Sequence, residues 1–230
     1  MSMNDVTVVL AHGAWADGSS WAKVITRLAA AGIKSIAAPL PLTSFQDDVA
    51  ALERSLERAE DAVVLAGHAY AGAVIGATRS DKVKALVYVA ALAPDEGETV
   101  ADVFYRTEPH PQAPKLAPDD HGLIYLPDSA FPAAFAQHAS KEELTVLAAV
   151  QRPISPACIT VPMARPLWKD RAVWFLVAEQ DRMIVHENHR FMAGRMKARV
   201  QSRPVDHTPL VTAPDDVTSI ILDAVRDSAT

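Results

Sequence analysis

Four separated stretches of this chain hold residue types that could do chemistry together. The first, Gly67-His68-Ala69-Tyr70-Ala71-Gly72, follows an apolar run from Ala62 to Ala66 and leads into a helix-forming stretch from Ala71 to Thr78. A strand that enters Gly-x-nucleophile-x-Gly/Ala and leaves as a helix must turn sharply, so bulky flanking residues would strike neighbouring strands. Gly67, Ala71 and Gly72 supply the smallness, with alanine standing where a second glycine is usual. Such a turn aims the side chain of residue 69 out of a sheet and sets the Tyr70 N–H at a helix start, where an anion is favoured. A second N–H is expected from His12-Gly13-Ala14-Trp15, where Gly13 lets the backbone come close and Ala14 donates. His12 reads as a brace for that loop rather than a reacting group.

A base and its orienting acid should follow the turn in chain order, acid first. His207 fits the base, in a loop where Pro209 and Pro214 oppose regular structure. Asp181 fits the acid, because it lies just past the run from Ala172 to Ala178. Asp206, Asp170 and Glu179 compete with it. Adjacent residues of an extended loop point in different directions, so Asp206 is poorly placed to orient its own neighbour and Asp181 is preferred. His186 and His189 share a helical spacing that could suit a metal, but no third ligand is evident and a solvated helix start is expected. No metal site and no cofactor is expected.

The elements that must position these residues alternate strand and helix. Strands are expected at 6–11, 33–38, 62–66, 83–90, 172–178 and 199–203, from β-branched apolar runs. Helices are expected at 20–31, 44–59, 71–78, 187–198 and 214–226, from apolar residues at helical spacing. That alternation predicts an α/β fold, a doubly wound and mostly parallel sheet with right-handed crossovers. From residue 95 to 165 the prolines crowd and no strand pattern survives, which marks a helical cap with helices at 131–138 and 141–151. The core is then 1–94 together with 166–230.

Composition narrows the function classes. The chain has 230 residues, 50% hydrophobic, enough for one substantial core. A net charge of -6 and a pI near 5.7 argue against nucleic acid as a partner. No apolar run reaches the roughly 18 residues a membrane span needs. The N-terminus shows no basic segment before an apolar one, so a cytoplasmic protein is expected. The single Cys158 excludes an intramolecular disulfide and reads as an apolar filler rather than a substitute nucleophile. Trp15, Tyr70, Phe104, Tyr105, Tyr125, Phe131 and Trp168 fall near the expected mouth or in the cap. Of these, Trp15, Tyr105, Tyr125 and Trp168 are the expected substrate contacts, in a pocket for a small apolar or aromatic ester-like molecule. A monomer or homodimer is expected.

Together, His12-Gly13-Ala14-Trp15, the turn at 67–72, Asp181 and His207 resemble the small α/β-hydrolases related to plant hydroxynitrile lyases and methyl-salicylate-type esterases. The resemblance implies an α/β-hydrolase fold and ester hydrolysis through an acyl-serine. It assigns Ala69 to the nucleophile position, His207 to the base, Asp181 to its orienter, and Ala14 with Tyr70 to the oxyanion hole. This chain departs at one atom, because an alanine methyl cannot attack a carbonyl. Loss of the serine costs on the order of a millionfold in turnover, while binding and an oxyanion hole leave roughly 10³ to 10⁴ over water. Three explanations compete: a serine replaced so that substrate is held uncleaved, a natural binding-only pseudoenzyme, or chemistry that never used serine. The first is preferred because base, acid and both donor loops all remain. Lactonase, carbon–carbon hydrolase, lyase and cofactor-free dioxygenase chemistry would use the same residues.

Overall fold

The computed structural model describes residues 5–60 and 62–229. Six strands, β1 (Val6–Ala11), β2 (Lys34–Ala38), β3 (Ala62–His68), β4 (Val83–Val89), β5 (Ala172–Ala178) and β6 (Arg199–Arg203), form one sheet in the order β2-β1-β3-β4-β5-β6. Every pairing is parallel. β1 and β3 are buried along their whole length, while the edge strands β2 and β6 are partly exposed. The apolar runs expected from the sequence therefore mark the strands covered on both faces.

The helices are α1 (Ala22–Ala30), α2 (Phe45–Glu57), α3 (Ala71–Ala77), α4 (Val100–Phe104), α5 (Lys141–Val150), α6 (His186–Arg195), α7 (Pro209–Thr212) and α8 (Pro214–Ser228). Right-handed crossovers put α1 on one face, and the reversal of direction after β2 sends α2 and α3 to the other. The packing agrees, since α8 lies along α1 and across β3 and β4, whereas α2 packs on α3. The reversal falls between β1 and β3, with Ala11 opposite Gly67, so the loops leaving both strands emerge side by side at a switch point.

Two expectations change. Pro209 does not keep its surroundings irregular: it starts α7 as a first-turn proline, where a missing N–H costs nothing. The expected 131–138 helix shortens to a π-helical turn at Phe131–Phe135. The insertion between β4 and β5 also holds α4, whose Thr99–Asp102 capping box stabilises a very short helix. Its only strand-like pairing among the described residues is an isolated bridge between Ile124 and Ile154.

The turn after β3 is sterically tight. A Cβ on Gly72 would lie 2.4 Å from the Leu92 carbonyl oxygen and 2.8 Å from the Ala91 Cβ. Gly72→Ala should therefore destabilise the fold by about 1–3 kcal/mol or more through overpacking against backbone. A drop in the urea midpoint checks this, and an unchanged midpoint would refute it.

Candidate active site

Ala69 sits where β3 ends and α3 begins, with φ at +49°. A left-handed alanine costs roughly 1–2 kcal/mol, so its surroundings must hold it there. They do so by backbone: Ala69 N–H donates to the Val89 carbonyl at 3.2 Å, and its own carbonyl accepts from Leu92 at 3.0 Å and Gly72 at 3.1 Å. Gly13 crowds the same point, since a Cβ there would meet the Ala69 Cβ at 2.9 Å and His68 Nδ1 at 3.1 Å. Among the described residues no hydrogen bond engages the N–H of Ala14 or of Tyr70, and both residues line the cavity above the turn.

His207 lines that cavity too, and its ring is paired at the rear: Nδ1–H donates to Asp181 Oδ2 at 2.8 Å. Nε2 is thereby left as the acceptor, with no partner among the described residues. Asp181 is fully buried between its partners. Its Oδ1 accepts the N–H groups of Met183 and Ile184, both at 2.8 Å, in the turn leaving β5. Burial alone would push this carboxyl up, yet the His207 imidazole beside it, then His189 and the Ile184 amide, hold it below the usual carboxylate range.

The competing acids are engaged elsewhere. Asp206 accepts from the Thr208 N–H at 3.2 Å, the Thr212 hydroxyl at 2.6 Å and the His138 N–H at 3.0 Å, so it braces the loop that carries His207. Asp170 pairs with Arg165, and Glu179 with Ser202 and Arg190, all at the surface.

Two further histidines tie the site together. His68 Nε2–H donates to the His207 carbonyl at 2.7 Å, which links the turn directly to the loop that carries His207. Burial, then the neighbouring His207, lowers the His68 pKa to about 3. His12 Nδ1–H donates to the Gly13 carbonyl at 2.9 Å while Nε2 accepts the Leu40 N–H at 3.1 Å, the bracing role its position predicts.

The cavity encloses about 680 Å³ counted out to its open mouth. Its side chains are apolar or aromatic, including Leu92, Phe104, Leu116 and Ile159, and among the described residues no Lys, Arg, Asp or Glu lines it. Trp15 and Tyr105 are in the wall. Trp15 is fixed there by its Nε1–H, which donates to the Ile124 carbonyl at 2.9 Å.

Tyr125 and Trp168 are not brought to the cavity, contrary to expectation. Ile124 turns inward at its bridge, so the next residue along extended chain turns out, and Tyr125 is 48% exposed. Trp168 is buried at the approach to β5, packed near Gly76 of α3, with Nε1–H directed at the Pro94 carbonyl. Phe131 packs edge-on against Phe135 in the core. His189 is not solvated either. It is fully buried with Nε2 3.4 Å from Asp181 Oδ2, whereas His186 is partly exposed beside Glu187, so the two do not share a surface.

Sequence reasoning also missed Asp48, in the first turn of α2. It is buried, and it accepts the Tyr70 hydroxyl at 2.6 Å and the Leu42 N–H at 2.7 Å. The signal was present: Phe45, Asp48 and Leu52 fall on one face of α2, so a carboxylate occupies the apolar stripe.

The sheet order, the strained turn at its switch point and the late acid–imidazole pair define an α/β-hydrolase fold. The chain belongs to the alpha/beta hydrolase family, whose model matches residues 8–220. A pyrethroid hydrolase from Sphingobium faniae is similar in structure at 21% identity, TM-score 0.81, over 96% of this chain and 98% of that one. Polyneuridine aldehyde esterase is similar at 19% identity, TM-score 0.78, over 95% and 98%. A variant of tomato methylketone synthase I complexed with β-ketoheptanoate is similar at 16% identity, TM-score 0.81, over 97% and 99%. No curated protein matches the chain by sequence. At these identities the likeness shows the fold.

The buried histidines make stability acid-sensitive. His68 is lowered to about 3 and His189 to about 4, both chiefly by burial, from 6.5. The unfolded chain therefore takes up protons that the folded chain refuses, so stability is complete above pH 6.5 and falls below it. Two such groups predict a loss of about 4 kcal/mol between pH 7.5 and 5. Asp181 acts in a lower window: its contribution is present above its unfolded value of 3.8 and is lost as pH falls through its lower folded value. Urea unfolding from pH 7.5 to 5 checks the first window and its extension below pH 3.8 the second, and a flat profile from pH 7.5 to 5 would contradict the first.

Proposed function

We propose that this is a carboxylic ester hydrolase site from which the attacking atom is missing, and which still binds an uncharged, apolar or aromatic ester. The observation that carries the reading is the His207–Asp181 pair, 2.8 Å apart and buried, facing the same apolar cavity as Ala69. In the proposed mechanism a serine at position 69 gives its proton to His207 Nε2 as it attacks the ester carbonyl. Asp181 steadies the imidazolium that forms. The N–H groups of Ala14 and Tyr70 receive the developing oxyanion, and the alkoxide leaves with the proton returned by His207. Water then repeats the sequence on the acyl-enzyme. The insertion between β4 and β5 acts as a cap that shapes the acyl and alcohol subsites, with Tyr105 and Trp15 in the wall.

With Ala69 in place the acyl route is closed. A binding-only protein and a base-only enzyme both fit what remains, because His207 keeps its accepting Nε2. The absence of Lys and Arg from the cavity favours neutral ligands over carboxylates or phosphates.

Ala69→Ser is expected to raise turnover of short-chain p-nitrophenyl esters at neutral pH by several orders of magnitude, up to about a millionfold. His207→Ala on that background should abolish the gain. An Ala69→Ser protein that folds yet stays as inert as its parent would rule the esterase reading out. Oxygen-dependent turnover by the unaltered chain would instead establish base-only chemistry.

A further inference from the structure

His189 is a buried polar group that the proposed mechanism does not use. It lies in α6, is completely inaccessible, and neither ring nitrogen has a hydrogen-bond partner. Its ring packs beside Phe175, with centroids 5.7 Å apart. An imidazole orphaned in a core costs stability relative to an apolar ring of the same size. The one polar atom that explains it is Asp181 Oδ2, 3.4 Å from Nε2, and that oxygen already receives His207 Nδ1–H.

We propose that His189 is a positioning residue for the base: with its proton on Nε2, 3.4 Å from the Asp181 Oδ2 that also accepts from His207, it moderates how strongly the carboxylate holds a proton on His207. The inference rests on reading His207 as the base. A lone pair on Nε2 facing a carboxylate oxygen would be repelled, so the proton belongs on Nε2 and the bare nitrogen is Nδ1. At 3.4 Å the contact is weaker than the 2.8 Å bond to His207, which keeps the larger share of the oxygen. The positive end of the His189 N–H dipole then lies close to the imidazolium His207 would form, and opposes it. A shared carboxylate is a weaker partner for either imidazole, so removing the donor should make His207 more basic. The other titratable groups facing this cluster are His68 beside His207, and His186 and Glu187 on the turn before His189. Burial keeps His189 neutral, so it acts by its dipole rather than its charge.

The test reads ring nitrogens and needs no substrate, so it stands apart from whether Ala69→Ser restores ester hydrolysis. In the unaltered protein labelled with ¹⁵N-histidine, His189 is expected as the Nε2–H tautomer throughout pH 5–9; an Nδ1–H tautomer overturns the proposal. In His189→Phe the His207 titration should move up by at least about half a pH unit, a factor of about three in its proton affinity. His189→Gln, which keeps an N–H donor, should leave it within about 0.2 unit of the parent. A His207 titration unmoved in His189→Phe, or moved equally in both variants, overturns the proposal, because a packing role alters the melting temperature alone. Should His189→Phe fail to fold, the parent tautomer and the His189→Gln titration decide the question.

Discussion

The left-handed backbone at Ala69 can be held only where neighbouring chain comes close enough to tie it down. Val89, Leu92 and Gly72 do so through its N–H and carbonyl, and Gly13 presses against its methyl group with no room for a Cβ of its own. That crowding is possible because β1 and β3 are adjacent although β2 lies between them in sequence, so two loops open at one crevice. Every other component of the site is measured from this turn. His68 reaches from it to the carbonyl of His207, and Tyr70 reaches from it to Asp48, so strain in the turn is offset by bonds to these two parts of the chain as well as to Val89 and Leu92.

Around the turn the protein has gathered imidazoles and carboxylates that are expensive to bury. Asp181 meets the cost by using both oxygens, accepting two backbone N–H groups on one and His207 on the other. His12 meets it with two backbone partners. His68 and His189 do not: each leaves ring nitrogen unsatisfied, and burial holds both neutral. Such groups set geometry at the expense of stability, which is the trade expected where a site must be rigid before a ligand arrives.

The apolar cavity and the polar cluster meet along one boundary, formed by Ala69 and His207. On the cavity side there is no charged side chain, so a bound molecule loses water without finding an ion to replace it. On the far side Asp181 supplies a negative charge and keeps it behind the imidazole. The methyl group of Ala69 stands at that boundary and offers no nucleophilic atom.

The sequence by itself determined the alternation of strands and helices, the turn at 67–72, and the chain order of Asp181 and His207, because each depends on residue periodicity or on small residues at short spacing. It also carried marks that went unread. Asp48 and His189 both occupy buried stripes of their helices, and a polar residue on an apolar stripe implies a buried partner without saying which. Tertiary structure decided those partners, since Tyr70 is 22 residues from Asp48 in the chain. It likewise sent Tyr125 to solvent and Trp168 under α3, because which side an aromatic in an irregular segment faces depends on where the backbone crosses the sheet, and no local pattern records that crossing.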